Sequence, residues 1–477
     1  MRIGFVSPDH LRDWHGTTRL IDLLATELST RGHDIVLIAK GGRASSKIPV
    51  SARTYPHDLI EMDWEDTRGR EAAARALRES GIDLCVASVG GKQILRLPSL
   101  LKGSAIPFVF ADPHDPRVRT FADWQPYESY GALACTDAIQ TLLPEYLEFY
   151  PAPLRSRVRK IGVPAPPPAD VDFQVRRTKK AHTIIAVGRL NETMKRFSLL
   201  LRAFALLHED FSDWNLKLVG DGPYWEFYHE MTRQLGIADH VEFTGALHDP
   251  APHYQDADIF CSPSLIEGFG LVFGEAAAFA LPLVGYHFCA PAASFVQPGM
   301  GMLARECTPQ SLADALRALM QASPEERERM GVRAREAMQS RFRADKVYDA
   351  WEKLFWDVRK QTTETGETTL DRIWRNAVDN DAQPSDARLR HIGEEWEGFG
   401  PDSALWTETV LESAAAEITL RDDPMTAAEQ TVLDREAENT RLRCELIRLR
   451  QDYSALAKKY EALQRQLHTS SGRRSRR

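Results

Sequence analysis

Ile161-Gly162-Val163-Pro164-Ala165-Pro166-Pro167-Pro168 divides the chain. Four prolines in eight residues remove backbone donors and fix φ, so the stretch continues neither a helix nor a central strand and reads as an interdomain linker. Upstream, short apolar runs at 3–6, 34–39, 83–88 and 107–111 alternate with helical spacing at 19–31 and around 68–80. Downstream the same grammar restarts. Strand-like runs stand at 183–187, 216–219, 241–244, 259–261 and 283–285, with a helix at 196–208. Ser323-Pro324-Glu325-Glu326 is a capping box with proline at the first helical position, opening a helix over 324–340. An amphipathic helix over 344–359 closes this half. Strands alternating with helices imply right-handed crossovers and parallel sheets. The expected fold class is therefore α/β, with two Rossmann-like domains, 1–165 and 166–360, facing a cleft into which the carboxyl ends of the strands point.

Composition narrows the function classes. A chain of 477 residues divides into about two to four domains, and 43% hydrophobic with 27% charged residues excludes wholesale disorder. A net charge of −8 argues against a nucleic-acid partner held by phosphate neutralisation. The six cysteines (85, 135, 261, 289, 307 and 444) form no Cys-x-x-Cys pair, which suits reduced thiols rather than a disulfide framework or zinc site. Met1 leads straight into a strand-like run with no basic-then-apolar leader, so no signal peptide is expected and the expected location is cytoplasmic.

Beyond residue 360 the character changes. Residues 361–428 read as an acidic linker carrying Trp374, Trp396 and Trp406. Residues 429–468 read as a coiled coil. Leu442, Leu446, Leu449, Tyr453, Leu456, Tyr460, Leu463 and Leu467 form a sustained a/d seam. Asn439 falls at an a position, and Glu438 with Arg443 and Glu445 with Arg450 make g-to-e′ pairs of opposite sign, the pattern of a parallel homodimer. The competing reading is a helix folded back on the body. Residues 469–477 form a basic flexible tail with four arginines, compatible with at most peripheral contact with anionic lipid at a membrane inner face.

The chemistry concentrates between Asp258 and Arg305. The 46 residues between them hold two formal charges, Glu267 and Glu275. Carboxylates in apolar surroundings are expensive unless compensated. They frame Glu267-Gly-Phe-Gly-Leu-Val-Phe-Gly-Glu275: glycines 268 and 270 make a tight loop, and helical composition begins at Leu271. Free amides around Phe269, Gly270 and Leu271 would attract a phosphate. Glu275 lies one helical turn beyond Leu271. As acceptors, the two carboxylates suit ligand hydroxyls; the alternative is a structural ion pair or helix cap. Upstream, Arg189 follows a strand end and Lys195 follows a short loop, two cations suited to a diphosphate.

Gly188-Arg189-Leu190 with Lys195, Val219-Gly-Asp-Gly-Pro223, Val241-Glu-Phe-Thr-Gly245, Ala257-Asp258, Pro263-Ser264 and Glu267 to Glu275 occur in order. This series resembles the donor-binding half of retaining, nucleotide-sugar-dependent family-4 glycosyltransferases of the GT-B fold, closely over 183–285 and loosely upstream. The resemblance implies that Arg189 and Lys195 hold the donor diphosphate and that Glu275 binds the ribose. It implies that Glu267 with the Phe269, Gly270 and Leu271 amides holds the transferred sugar, and that Gly245 and Leu247 lie near the base. By the same likeness Gly16, in Trp14-His15-Gly16-Thr17-Thr18, approaches the phosphate and His114 faces the sugar.

The implied activity is transfer of a hexosyl group, with retention of configuration, to a glycan or glycolipid acceptor. UDP is favoured over GDP as the donor nucleotide, with no cofactor and no catalytic metal. Asp-x-Asp pairs at 170/172, 256/258 and 379/381 are assigned to no metal. The alternatives are a non-catalytic glycosyltransferase-like subunit working through its coiled coil, a nicotinamide-dependent oxidoreductase, and a related epimerase or phosphorylase. The oxidoreductase is disfavoured because no Gly-x-Gly-x-x-Gly follows the first strand.

The heptad seam carries its own test. Light scattering at micromolar concentration should report a dimer that dissociates when residues 430–477 are removed. A monomeric full-length chain, or a dimer that persists after truncation, contradicts the reading.

Overall fold

The computed structural model describes residues 1–7, 16–40, 55–61, 67–89, 100–101, 104–116, 132–150 and 152–372. The expected coiled coil, the basic tail, the acidic linker from residue 373 onward and positions 14–15 lie outside these residues.

Two parallel sheets carry the architecture. The first has seven strands in the order β3-β2-β1-β4-β5-β6-β7. They are β1 (Arg2–Val6), β2 (Asp34–Ala39), β3 (Asp58–Glu61), β4 (Leu84–Ala87), β5 (Phe108–Ala111), β6 (Ala138–Thr141) and β7 (Val158–Lys160). The second has six in the order β10-β9-β8-β11-β12-β13. Its members are β8 (His182–Val187), β9 (Trp214–Val219), β10 (Val241–Gly245), β11 (Ile259–Ser262), β12 (Leu283–Tyr286) and β13 (Gly301–Ala304). Strands β4, β5, β11 and β12 are buried at every residue, as parallel strands covered on both faces must be. The scarcity of charge between 258 and 305 follows from that burial, and no helix among the described residues is long and apolar enough to cross a membrane.

Strands β3, β6, β7 and β13 escape the sequence pattern. β3 and β7 are edge strands whose residues are largely exposed, so they lack an apolar run. β6 reads Ala-Ile-Gln-Thr, and its buried Gln140 donates to the Ile161 carbonyl.

Residues 161–172 form neither helix nor strand. Downstream, Ser323 accepts from the Glu326 amide and the Glu326 carboxylate accepts from the Ser323 amide, completing the expected capping box. The final long helix, Ala344–Thr365, runs past the boundary expected at 360 and lies against the first half. It buries Val347, Tyr348, Trp351, Leu354, Phe355 and Val358 at helical spacing. Arg31 bonds Asp349 at 2.7 Å and Glu352 at 2.9 Å, and Arg359 reaches Asp83 at 2.8 Å. Just beyond, the Thr369 amide donates to Asp137 at 2.7 Å. An amphipathic stripe shows that a helix is covered, not by which half.

At the amino end of β11, Asp258 is 1% exposed in its side chain. It accepts from the Thr183 amide at 2.9 Å, the first rung beside β8, and from Lys179 at 3.2 Å. Burial by itself would push this carboxyl up, but His182, Lys179 and the Thr183 amide together hold it below the usual range. A depressed native pKa gives stability that is complete above the unfolded pKa, about 4, and is lost as pH falls through the native value. Asp258→Asn should therefore cost about 1–3 kcal/mol at pH 7, with the gap to the parent narrowing below about pH 4. Urea denaturation across that range checks it. A gap that is absent at pH 7, or constant down to pH 3, would be the contrary result.

Candidate active site

In the second sheet the strand order reverses between β8 and β11, and the carboxyl ends beside such a switch point form a ligand-binding crevice. β8 ends at Val187, followed by Gly188 and Arg189; β11 ends at Ser262, followed by the loop to Glu267. Glycine is required at the crossing of the β8 and β9 exits. A Cβ on Gly222 would stand 2.3 Å from the Leu190 carbonyl oxygen, so only hydrogen fits there.

Lys195 ends a four-residue helix, Glu192–Lys195, that Asn191 caps by accepting from the Met194 amide at 3.3 Å. The Lys195 ammonium donates to Glu267 Oε1. Ser264 Oγ donates to the same oxygen at 2.9 Å. Arg189 is exposed at the neighbouring strand end. Gly270, at φ 71°, is the N-cap of helix Leu271–Ala278 and supplies no side-chain acceptor, which leaves the first amides of that helix without a cap. Phe269 turns its ring inward against Phe295 and Phe342, so what it offers the crevice is backbone.

Glu275 is one turn into the helix and 8% exposed. Tyr254 donates to its Oε2 at 2.9 Å, and Arg19, from helix Gly16–Thr30 of the first half, donates to its Oε1. Burial, then the adjacent carboxylate, pushes the Tyr254 phenol well up, keeping it a donor. Both expected acids are thus matched by a cation, Glu267 from its own half and Glu275 from the other.

Besides Arg19, the first half closes on this crevice at three further points. A Cβ on Gly16 would lie 3.5 Å from Leu271, placing the start of helix Gly16–Thr30 beside the start of helix Leu271–Ala278. A Cβ on Gly268 would stand 2.2 Å from the Pro113 carbonyl oxygen, so His114, the next residue, borders the Glu267 loop. Tyr146 donates to the carbonyls of Glu267 at 3.1 Å and Gly268 at 2.9 Å. Arg19, Leu271 and Glu275 line a small cleft with Val163, Pro164, Ala165 and Pro166 of the linker.

Of the expected residues, Lys195, Glu267, Phe269, Gly270, Leu271 and Glu275 are brought together, with Gly16 and His114 on the facing side. Gly245, at φ 75°, bridges Gly220 at the end of β9, and Leu247 is half-buried; both stand on the far side of β8 from Glu267. Arg19, Tyr254 and Tyr146 are additions that the sequence pattern did not mark, while Ser264, present there only as part of the motif series, gains a partner in Glu267. Arg19 and Glu275 are separated by 256 positions, and no local pattern links them.

Residues 169–337 match a family model described as "Glycosyl transferases group 1". An uncharacterized glycosyltransferase of Haemophilus influenzae is 39% identical over 109 residues, 23% of this chain and 30% of that protein. A D-inositol 3-phosphate glycosyltransferase of Corynebacterium diphtheriae is 36% identical over 160 residues, 31% of this chain and 36% of that protein. The chain spans less than half the length of these curated relatives. Among solved structures, Anabaena Alr3699/HepE in complex with UDP and glucose aligns with a TM-score of 0.58 at 16% identity, covering 76% of this chain and 99% of that one. A likeness at that identity establishes the fold, two parallel-sheet halves of the GT-B type.

The Arg19–Glu275 pair joins the halves, with the arginine side chain 40% exposed and the glutamate buried. Its coupling in an Arg19→Ala, Glu275→Gln double-mutant cycle should be about 1 kcal/mol. Urea denaturation of the four proteins measures it; additive single effects would show that the two side chains are not energetically linked.

Proposed function

We propose that the chain is a glycosyltransferase that moves a hexosyl group from a nucleoside-diphosphate sugar to a glycan or glycolipid hydroxyl. The observation that carries this is the convergence of Lys195, Glu267, Glu275 and the uncapped start of helix Leu271–Ala278 at the β8/β11 switch point. The group 1 match over 169–337 supports it, as does the UDP held by the Anabaena structure of the same fold. UDP is the nucleotide proposed over GDP.

In this reading the diphosphate lies between Lys195, Arg189 and the first amides of helix Leu271–Ala278, and the ribose hydroxyls donate to Glu275 in place of Arg19. Glu267 and Ser264 hold sugar hydroxyls, with His114 on the facing side. Gly245 and Leu247 border the base. As the bond from the anomeric carbon to the phosphate oxygen breaks, negative charge grows on the leaving diphosphate. Fixed cations and amide dipoles aimed there stabilise the transition state more than the ground state. The acceptor oxygen bonds the anomeric carbon, and its proton passes to the departing phosphate oxygen on the same face, which retains configuration. Charge compensation is assigned to protein groups rather than to a metal or cofactor. The heptads of 429–468 are proposed to pair two chains in parallel, and the proposed site of action is the cytoplasm, with at most peripheral membrane contact.

A thermal-shift panel of nucleoside diphosphates identifies the base, and hydrolysis or transfer from the corresponding sugar nucleotides then reports turnover. Lys195→Ala and Glu275→Ala should each lower kcat/KM by about a hundredfold or more while circular dichroism shows the fold retained. Near-normal turnover in a variant removes that residue's role. A chain that turns over no sugar nucleotide contradicts the enzyme.

A further inference from the structure

We infer that Glu192 is a positioning residue for the diphosphate site: a buried carboxylate that holds the 189–195 loop so that the Lys195 ammonium meets Glu267. This rests on the function proposed above. Glu192 is 0% exposed, although it opens a helix of only four residues. An acid in the first turn of a helix is already favoured when exposed to solvent, so capping does not account for its burial. A buried carboxylate must be matched by several donors. The Tyr228 hydroxyl donates to Oε2 at 2.7 Å, the Ser198 amide donates to Oε2 at 3.3 Å and the Ser198 hydroxyl donates to Oε1. Arg196 Nη1 lies 3.8 Å from Oε1.

These contacts straddle the corner on which Lys195 stands. Arg196, the next residue, has φ 49° and ψ 42°, a left-handed conformation that crowds Cβ against the following carbonyl oxygen and is disfavoured for a residue bearing a side chain. That turn ends one helix and starts the next, Phe197–Ala205. From the helix before the turn, Glu192 spans it to Ser198 in the helix after it, while Tyr228 ties the carboxylate to helix Trp225–Gln234. On the opposite side of the loop, the Leu265 amide donates to the Met194 carbonyl at 3.0 Å, stitching it to the segment that carries Glu267. The direction of Lys195 is thus set by an acid three positions earlier that does not reach the ligand. Substitutions at Glu192 should act through the phosphate end of the donor and leave the base end untouched.

The test compares binding of whichever of ADP, CDP, GDP and UDP binds best with binding of its parent nucleoside. It uses the full chain, Glu192→Gln, Lys195→Ala and the double variant, with melting temperatures recorded for each. Glu192→Gln should weaken diphosphate binding about tenfold with nucleoside binding unchanged. In the Lys195→Ala background it should add less than about twofold, since both changes remove one interaction. Tyr228→Phe, which deletes a single bond to Glu192, should move diphosphate affinity about threefold in the same direction and serves if Glu192→Gln fails to fold. Equal losses for diphosphate and nucleoside, multiplicative losses in the double variant, or diphosphate affinity within about twofold of the parent in both Glu192→Gln and Tyr228→Phe overturn the positioning role alone. A parent chain that binds none of the four nucleotides overturns this role together with the proposed function.

Discussion

Two carboxylates stand in a stretch otherwise empty of charge, and the structure must supply each with donors. That requirement organises the site. Glu267 follows a buried strand and Glu275 sits inside a buried helix, so neither can rely on water alone. Lys195 and Ser264 meet the first; Tyr254 and Arg19 meet the second. The same donors define a polar strip along the start of helix Leu271–Ala278, beside the amides that the glycine cap leaves open. A ligand with anionic and hydroxyl groups can exchange for these partners, whereas an apolar ligand would strand them.

The fold supplies the rigidity that such a strip needs. Parallel strands buried on both faces fix the points from which the Lys195 and Glu267 loops depart. Close approaches that exclude any Cβ, Gly222 on Leu190 and Gly268 on Pro113, then bring backbone against backbone, so small displacements are resisted by hard contacts. The crevice belongs to both halves: Tyr146 clamps the Glu267 loop from the first, and the long final helix returns to pack on that same half. Both attachments oppose independent motion of the sheets.

Much of this was legible in the residues themselves. The central strands announced themselves because parallel strands covered on both sides are continuous apolar runs, and the two acids stood out for the converse reason. The edge strands Asp58–Glu61 and Val158–Lys160 did not, since one exposed side dilutes their pattern. Within the site, Glu267 and Glu275 could be found because a glycine loop and charge scarcity mark them locally, and Lys195 because it follows a strand end in the same ordered series of motifs. Arg19 could not: on its helix it is one polar position among several, and its role is created by the approach of a residue 256 positions away. Glu192 was hidden differently, since an acid at a helix start looks solvated until burial is known.

The two acids and the helix start between them are proposed to grip a nucleotide sugar. A crystal structure of the full chain with its preferred nucleoside diphosphate tests it most directly. The diphosphate should lie within hydrogen-bonding distance of Lys195 and the Leu271 amide, with ribose hydroxyls on Glu275 where Arg19 now donates. A nucleotide bound elsewhere, with the Arg19–Glu275 and Lys195–Glu267 pairs intact, would contradict it.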